Sequence, residues 1–189
     1  MEKSLLKSGL FAGAAILAFA MKAVFAQTQT LTPYQIKAGF IYNFAMATKW
    51  LTEDPNSNLP LVFGILGADP SQGEFELLQG AKVGANRTLS VKLCKDLAEA
   101  KECQLLFISG SQKSNLPALL DELKDLSILT ITDADVGVRS RGIIHFVQEK
   151  DKLRFEINVS AAYRAKLKIS SQVLKLAKLR KDEPGGRKE

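Results

Sequence analysis

One histidine and two cysteines are all the chain offers to chemistry that needs an imidazole or a thiol. His145 falls in a run, Gly142 to Glu149, that alternates as a strand and places it on the same face as Ile143 and Val147. A Ser/His/Asp or Cys/His arrangement needs a base beside a nucleophile. A single strand histidine with no nucleophile paired to it assembles neither, so no catalytic residue is assigned. Asp69, Asp133 and Asp135 are of the type that holds a cation or forms an acid pair. A hard cation takes more oxygen ligands at closer spacing than these supply, so no metal set is assigned. Gly64, Gly67 and Gly73 miss the G-x-G-x-x-G spacing, and no G-x-x-x-x-G-K occurs, so no nucleotide cofactor is implied.

Cys94 and Cys103 would close a ring of about ten residues, worth about 2.7 kcal/mol on a chain-entropy view. If they flank a parallel β-α-β crossover, however, they lie at opposite ends of the sheet, beyond the ~7 Å that a disulfide spans between Cα atoms. An intramolecular disulfide, free buried thiols and an intermolecular bridge all stay open.

These residues are positioned by alternating helices and strands. Leu31-Thr32-Pro33-Tyr34-Gln35-Ile36 combines a cap, a first-turn proline, a capping box and a staple, and predicts a helix running to about Trp50. Its apolar residues, among them Ile36, Phe40, Ile41 and Phe44, cover more than one stripe, which buries it under a sheet or in a dimer contact. Leu61 to Leu66 and Gln104 to Ile108 are short continuous apolar runs, as in strands covered on both faces. Thr88 to Leu93 and Ser127 to Ile131 add strands; Glu74 to Leu78, Lys95 to Lys101 and Ser114 to Lys124 read as helices. Gly142 to Glu149 and Lys152 to Asn158 form a hairpin across Lys150-Asp151. Ser160 and Ser171 are candidate caps of two last helices, the second amphipathic with a basic stripe of Lys175, Lys178 and Lys181 fit for an acidic partner or anionic lipid heads. The pattern predicts an α/β single-domain sandwich: a mainly parallel central sheet, flanked by helices, ending in an antiparallel hairpin. In such sheets ligands settle at the carboxyl ends of the strands, which nominates the loops carrying Asp69, Ser109 and Asp133. Asp-Pro and Ser-Gly-Ser are also ordinary turn chemistry.

The 189 residues are 46% apolar and 24% charged with a net charge of +6, which excludes collagenous and wholly disordered classes. Residues 1–26 carry Lys3 and Lys7, an apolar run to Met21 and the ending Val24-Phe25-Ala26. This is a secretory signal, with cleavage expected after Ala26. What remains has 23 basic and 19 acidic residues, and the excess is local: from Arg164 onward nine basic residues face three acidic ones. The body up to Tyr163 is slightly acidic, which argues against nucleic acid as a partner. The domain is expected over residues 27–181, with 182–189 a disordered tail. Arg139 and Arg141, with Arg164, Lys175 and Lys178, are candidate contacts for an anionic partner.

The segments YQIKAGFIYNFAMATKW, FGILGADP and CQLLFIS, and above all the hairpin GIIHFV to RFEINV followed by LKISSQVLKLA, resemble the YfiR-like family of bacterial periplasmic proteins. The resemblance runs from Tyr34 to Leu179. It implies a non-enzymatic, periplasmic, dimeric regulator that binds the periplasmic region of an inner-membrane diguanylate cyclase and represses it. An outer-membrane lipoprotein then relieves the repression by sequestering the regulator. It also implies a cysteine on the first strand; here that place is Gly64, leaving Cys94 as the only mate for Cys103. The alternative from a different class is a periplasmic binder of a small ligand or anion at the Asp69, Ser109 and Asp133 loops.

Overall fold

The computed structural model describes residues 30–54, 56–134 and 142–181. The expected signal (1–26), the expected tail (182–189) and Asp135, Arg139 and Arg141 lie outside the described residues. The chain divides at Thr32, and from Pro33 onward the described residues form one compact unit.

Helix α1 (Pro33–Ala47) starts at the proline that suits a first helical turn. It stops three residues before the expected end, because Thr48, Lys49 and Trp50 form strand β1 and pair antiparallel with β9 (Leu167–Ile169). Thr48 is β-branched and Trp50 aromatic, residues that suit a pleated, half-buried surface better than a last helical turn.

The main sheet has eight strands in the order β10-β8-β7-β6-β5-β2-β4-β3. They are β2 (Leu61–Leu66), β3 (Lys82–Val83), β4 (Arg87–Cys94), β5 (Leu105–Ile108), β6 (Leu129–Thr132), β7 (Ile144–Glu149), β8 (Lys152–Asn158) and β10 (Lys178–Arg180). All neighbours run parallel except the β7–β8 hairpin and the β3–β4 edge, so the predicted α/β architecture holds.

The continuous apolar strands divide by alternation between two cores. Phe63, Ile65, Leu105, Phe107, Leu129 and Ile131 pack with α1 through Ile41, Phe44 and Ala45. Leu66, Leu106 and Ile108 pack on the other side with Ala100 of α2 (Leu97–Ala100) and with Leu116, Leu120 and Leu123 of α3 (Leu116–Leu123). Glu74–Leu78 is a 3-10 helix that buries Phe75 edge-on to Phe63 and Phe107.

The C-terminal region departs most from expectation. Helix α4 (Val159–Arg164) is capped by Asn158, whose side chain accepts from Ala161 N, and not by Ser160. Helix α5 (Ser171–Leu174) is capped by Ser170, and not by Ser171, and lasts one turn. The long basic amphipathic helix does not exist: Lys178–Arg180 extends as β10, parallel to Glu156–Asn158 of β8. The edge of β8 and the carboxylate of Glu156 hold this segment extended, while Val173, Leu174 and Ala177 before it pack partly buried against the core.

Candidate functional site

Cys94 ends β4, and Cys103 follows α2 with its N–H bonded to Ala100 O. Their sulfurs lie 3.7 Å apart, within a thiol hydrogen bond, and both residues are buried and not joined by a disulfide. The separation expected of residues flanking a crossover does not arise. The crossover helix is a single turn, so Cys103 comes down on the sheet face and not at its far end. Between β4 and β5 runs β2, where Gly64 has no side chain; a Cβ there would meet Cys103 Sγ at 2.5 Å and Cys94 Sγ at 2.8 Å. The hydrogen bond with Cys103 holds the Cys94 thiol below the ordinary thiol range, with help from the Lys92 ammonium and against the cost of burial. The same bond, together with burial, pushes Cys103 up.

The three nominated loops follow the adjacent parallel strands β2, β5 and β6 at their carboxyl ends, but their polar atoms are engaged by the chain itself. Asp69 Oδ1 accepts from Ser71 N and Ser71 Oγ, and Oδ2 from Gly73 N. Ser109 Oγ accepts from Ser111 N and lies 3.0 Å from Ser111 Oγ, which in turn accepts from Ala68 N. Asp133 pairs with Lys37 at 2.5 Å and receives Tyr34 Oη at 3.5 Å. Tyr34 and Lys37, which tie α1 to the end of β6, were not legible as partners from sequence, since nothing local links residues nearly a hundred apart. Burial, first, and then the carboxylates of Asp133 and Asp69 raise the Tyr34 phenol above its ordinary range.

His145 is a satisfied interior residue: it is buried, and Nδ1 lies 2.8 Å from Thr132 Oγ1. Register sets it beside Glu156, and Glu156 beside Lys178, in a polar row across four strands. Glu156 is 4% exposed, with Oε2 at 2.8 Å from Arg180 Nε and Oε1 at 3.3 Å from Lys178 Nζ. The signal for it was an acid inside the apolar run Phe155 to Ile157.

Of the basic residues nominated as partner contacts, Arg164 closes α4, Lys175 follows α5 and Lys178 sits on β10; all three are exposed. They do not form one helical stripe, because the helix that would have aligned them is absent.

A groove of about 490 Å³ lies between the end of α1, β1 and the turn into β4, lined among others by Met46, Trp50, Leu61, Val83 and Arg87. Arg87 is fixed there by Glu53 at 2.5 Å and by the carbonyl of Leu59. In its wall Trp50 Nε1 and Thr48 Oγ1 are buried without a hydrogen-bond partner among the described residues.

Among the described residues no group of three or more His, Cys, Asp or Glu side chains is placed to hold a metal, and no helix is long and apolar enough to cross a membrane. A search of curated proteins finds none that matches the chain. The profile of the YfiR/HmsC-like family, in contrast, matches residues 34–178. With more than half of its length so matched, the chain belongs to the YfiR/HmsC-like family, whose YfiR-like members are periplasmic regulators in cyclic-di-GMP signalling and not known as catalysts.

Proposed function

We propose that the chain is exported, cleaved after Ala26, and acts in the periplasm as a non-enzymatic regulator over residues 27–181. It binds the periplasmic region of an inner-membrane diguanylate cyclase and represses it, lowering cyclic-di-GMP and with it biofilm formation. It works as a homodimer, and an outer-membrane lipoprotein relieves the repression by sequestering it. The observation that carries this reading is the family match over residues 34–178. Two features support it. The side chains that would receive a small ligand, Asp69, Ser109 and Asp133, are already bonded within the chain. The outward residues of α1, Ile36, Gly39, Asn43 and Met46, carry no charge and offer a face for a second copy.

The test is genetic and biochemical. Deleting the gene in a strain that keeps the cognate cyclase should raise cyclic-di-GMP and adhesion, and the purified chain should retain the cyclase's periplasmic region on an affinity column. Unchanged cyclic-di-GMP with that cyclase intact refutes the reading.

A further inference from the structure

Strands β1 and β9 pair so that Lys49 stands directly opposite Lys168. The bonds on either side, Ser170 N to Ala47 O and Leu51 N to Lys166 O, put these two lysines in a hydrogen-bonded pair, with Cα atoms about 5.5 Å apart. Like charges so placed oppose folding. Their neighbours Thr48, Trp50, Leu167 and Ile169 are buried, so alternation turns both lysines outward. Lys166 and Arg164, also exposed, extend the charge; Lys166 holds φ 54, a left-handed conformation that glycine would adopt at lower cost.

The sequence from Ile157 to Lys181 has no Asp or Glu, and Lys49, Lys166 and Lys168 make no ion pair among the described residues. The acids nearest in sequence are already engaged: Glu53 pairs with Arg87, and Asp54 Oδ1 accepts from Asn56 N. Beside the cations two large side chains stand in solvent, Tyr163 at 85% and Leu51 at 65% exposure.

We propose that this face, Lys49, Leu51, Tyr163, Lys166 and Lys168, docks the protein on an anionic lipid bilayer. Charge complementarity selects an anionic surface, and the protruding tyrosine and leucine select a bilayer. Amphipathic rings and aliphatic tips settle at the headgroup level while lysine stems reach along the interface. The unrelieved Lys49–Lys168 pair is stabilised when headgroup phosphates sit between the two ammonium groups. The proposal is independent of the cyclase reading, because a vesicle carries no protein.

The probe is co-sedimentation of the mature chain with vesicles of phosphatidylcholine alone and of phosphatidylcholine mixed with phosphatidylglycerol. Binding should require phosphatidylglycerol and disappear at high salt, as a surface potential is screened within about a Debye length. Each of Lys49→Gln, Lys166→Gln and Lys168→Gln should weaken it roughly fivefold, and the triple variant roughly a hundredfold. Lys168→Glu separates docking from folding. It places an acid opposite Lys49, so vesicle binding should fall while the melting temperature holds or rises, an outcome that a damaged fold cannot give. Equal sedimentation with both vesicle types, or a triple variant that sediments like the parent chain, overturns the proposal. So does lysine-dependent binding to polyglutamate without binding to vesicles, which would make the partner an acidic protein.

Discussion

The Cys94 and Cys103 sulfurs lie 3.7 Å apart across the space that a side chain at residue 64 would fill. Gly64 is therefore required for room and not for backbone freedom. Gly64→Ala should destabilise the protein by about 1–3 kcal/mol, the usual range for forcing an extra methyl into a packed interior. Removing the sulfur that sits nearest should restore the room, so Gly64→Ala in a Cys103→Ala background should cost clearly less than in the parent. Urea denaturation of the four members of the cycle measures this coupling. Equal costs in both backgrounds would show that the sulfurs do not limit the site.

The same approach prepares the two thiols for a disulfide. Diamide, a two-electron oxidant, takes two hydrogens from the pair as the S–S bond forms and is itself reduced to the hydrazine. Cys94 is the attacking group, since its thiol is held below the ordinary range while Cys103 is raised. The expected product is the monomer lighter by two hydrogens, with no free thiol after denaturation and a stability gain of about 2.7 kcal/mol for the ring of about ten residues. Mass spectrometry and thiol titration check it; a product that is a covalent dimer, or two thiols that titrate freely after treatment, contradicts it.

Lys37 and Asp133 join the first helix to the sixth strand with side chains only 13% and 11% exposed. Lys37→Met leaves the carboxylate buried with Tyr34 as its remaining partner, and a loss of about 3 kcal/mol is expected from breaking a largely buried pair. Tyr34 adds a pH dependence. Its folded-state range lies above the ordinary value of 10.0 because of burial first and the Asp133 carboxylate second. The neutral phenol's contribution is therefore complete below the ordinary value and declines as pH rises from there through the folded-state range. Tyr34→Phe should lose less stability than the parent between neutral and strongly alkaline pH. Denaturant midpoints at the two pH values decide it, and parallel losses in both proteins would remove Tyr34 from the account.

Local pattern and long-range pairing differ in how far they could be read. The strands Leu61–Leu66 and Lys152–Asn158 were legible to the residue because an unbroken apolar run and a two-residue turn are local signals. The end of α1 and the C-terminal helix were not. Thr48–Trp50 and Lys178–Arg180 take their structure from Leu167–Ile169 and Glu156–Asn158, far away along the chain, and three-residue strands carry too little periodicity of their own. The thiol site failed for a related reason. Its decisive residue is Gly64, on the strand between the two that bear the cysteines, where the signal is the absence of a side chain. Asp69, Ser109 and Asp133 were found as a loop cluster, while the residues that occupy them, Lys37 and Ser111 among them, became visible only in three dimensions.

Glu156 shows how the C-terminal strand is held. Its carboxylate is 5% exposed, against 16% for the Arg180 side chain and 66% for Lys178. Burial makes the arginine the partner that matters, because an ion pair open to water contributes little. Arg180→Ala should cost about 3 kcal/mol, most of it the penalty of a buried charge left with one solvated neighbour, whereas Lys178→Ala should cost under about 1 kcal/mol. In a Glu156→Gln background the charge is gone, and Arg180→Ala should then cost roughly the loss of packing alone. Denaturation of the parent, both single variants and the double variant measures the coupling, and hydrogen exchange of the β8 amides reports whether β10 has left the edge. If Arg180→Ala costs the same with glutamine at residue 156 as with glutamate, β10 is held by its backbone pairing with β8 and not by the buried carboxylate.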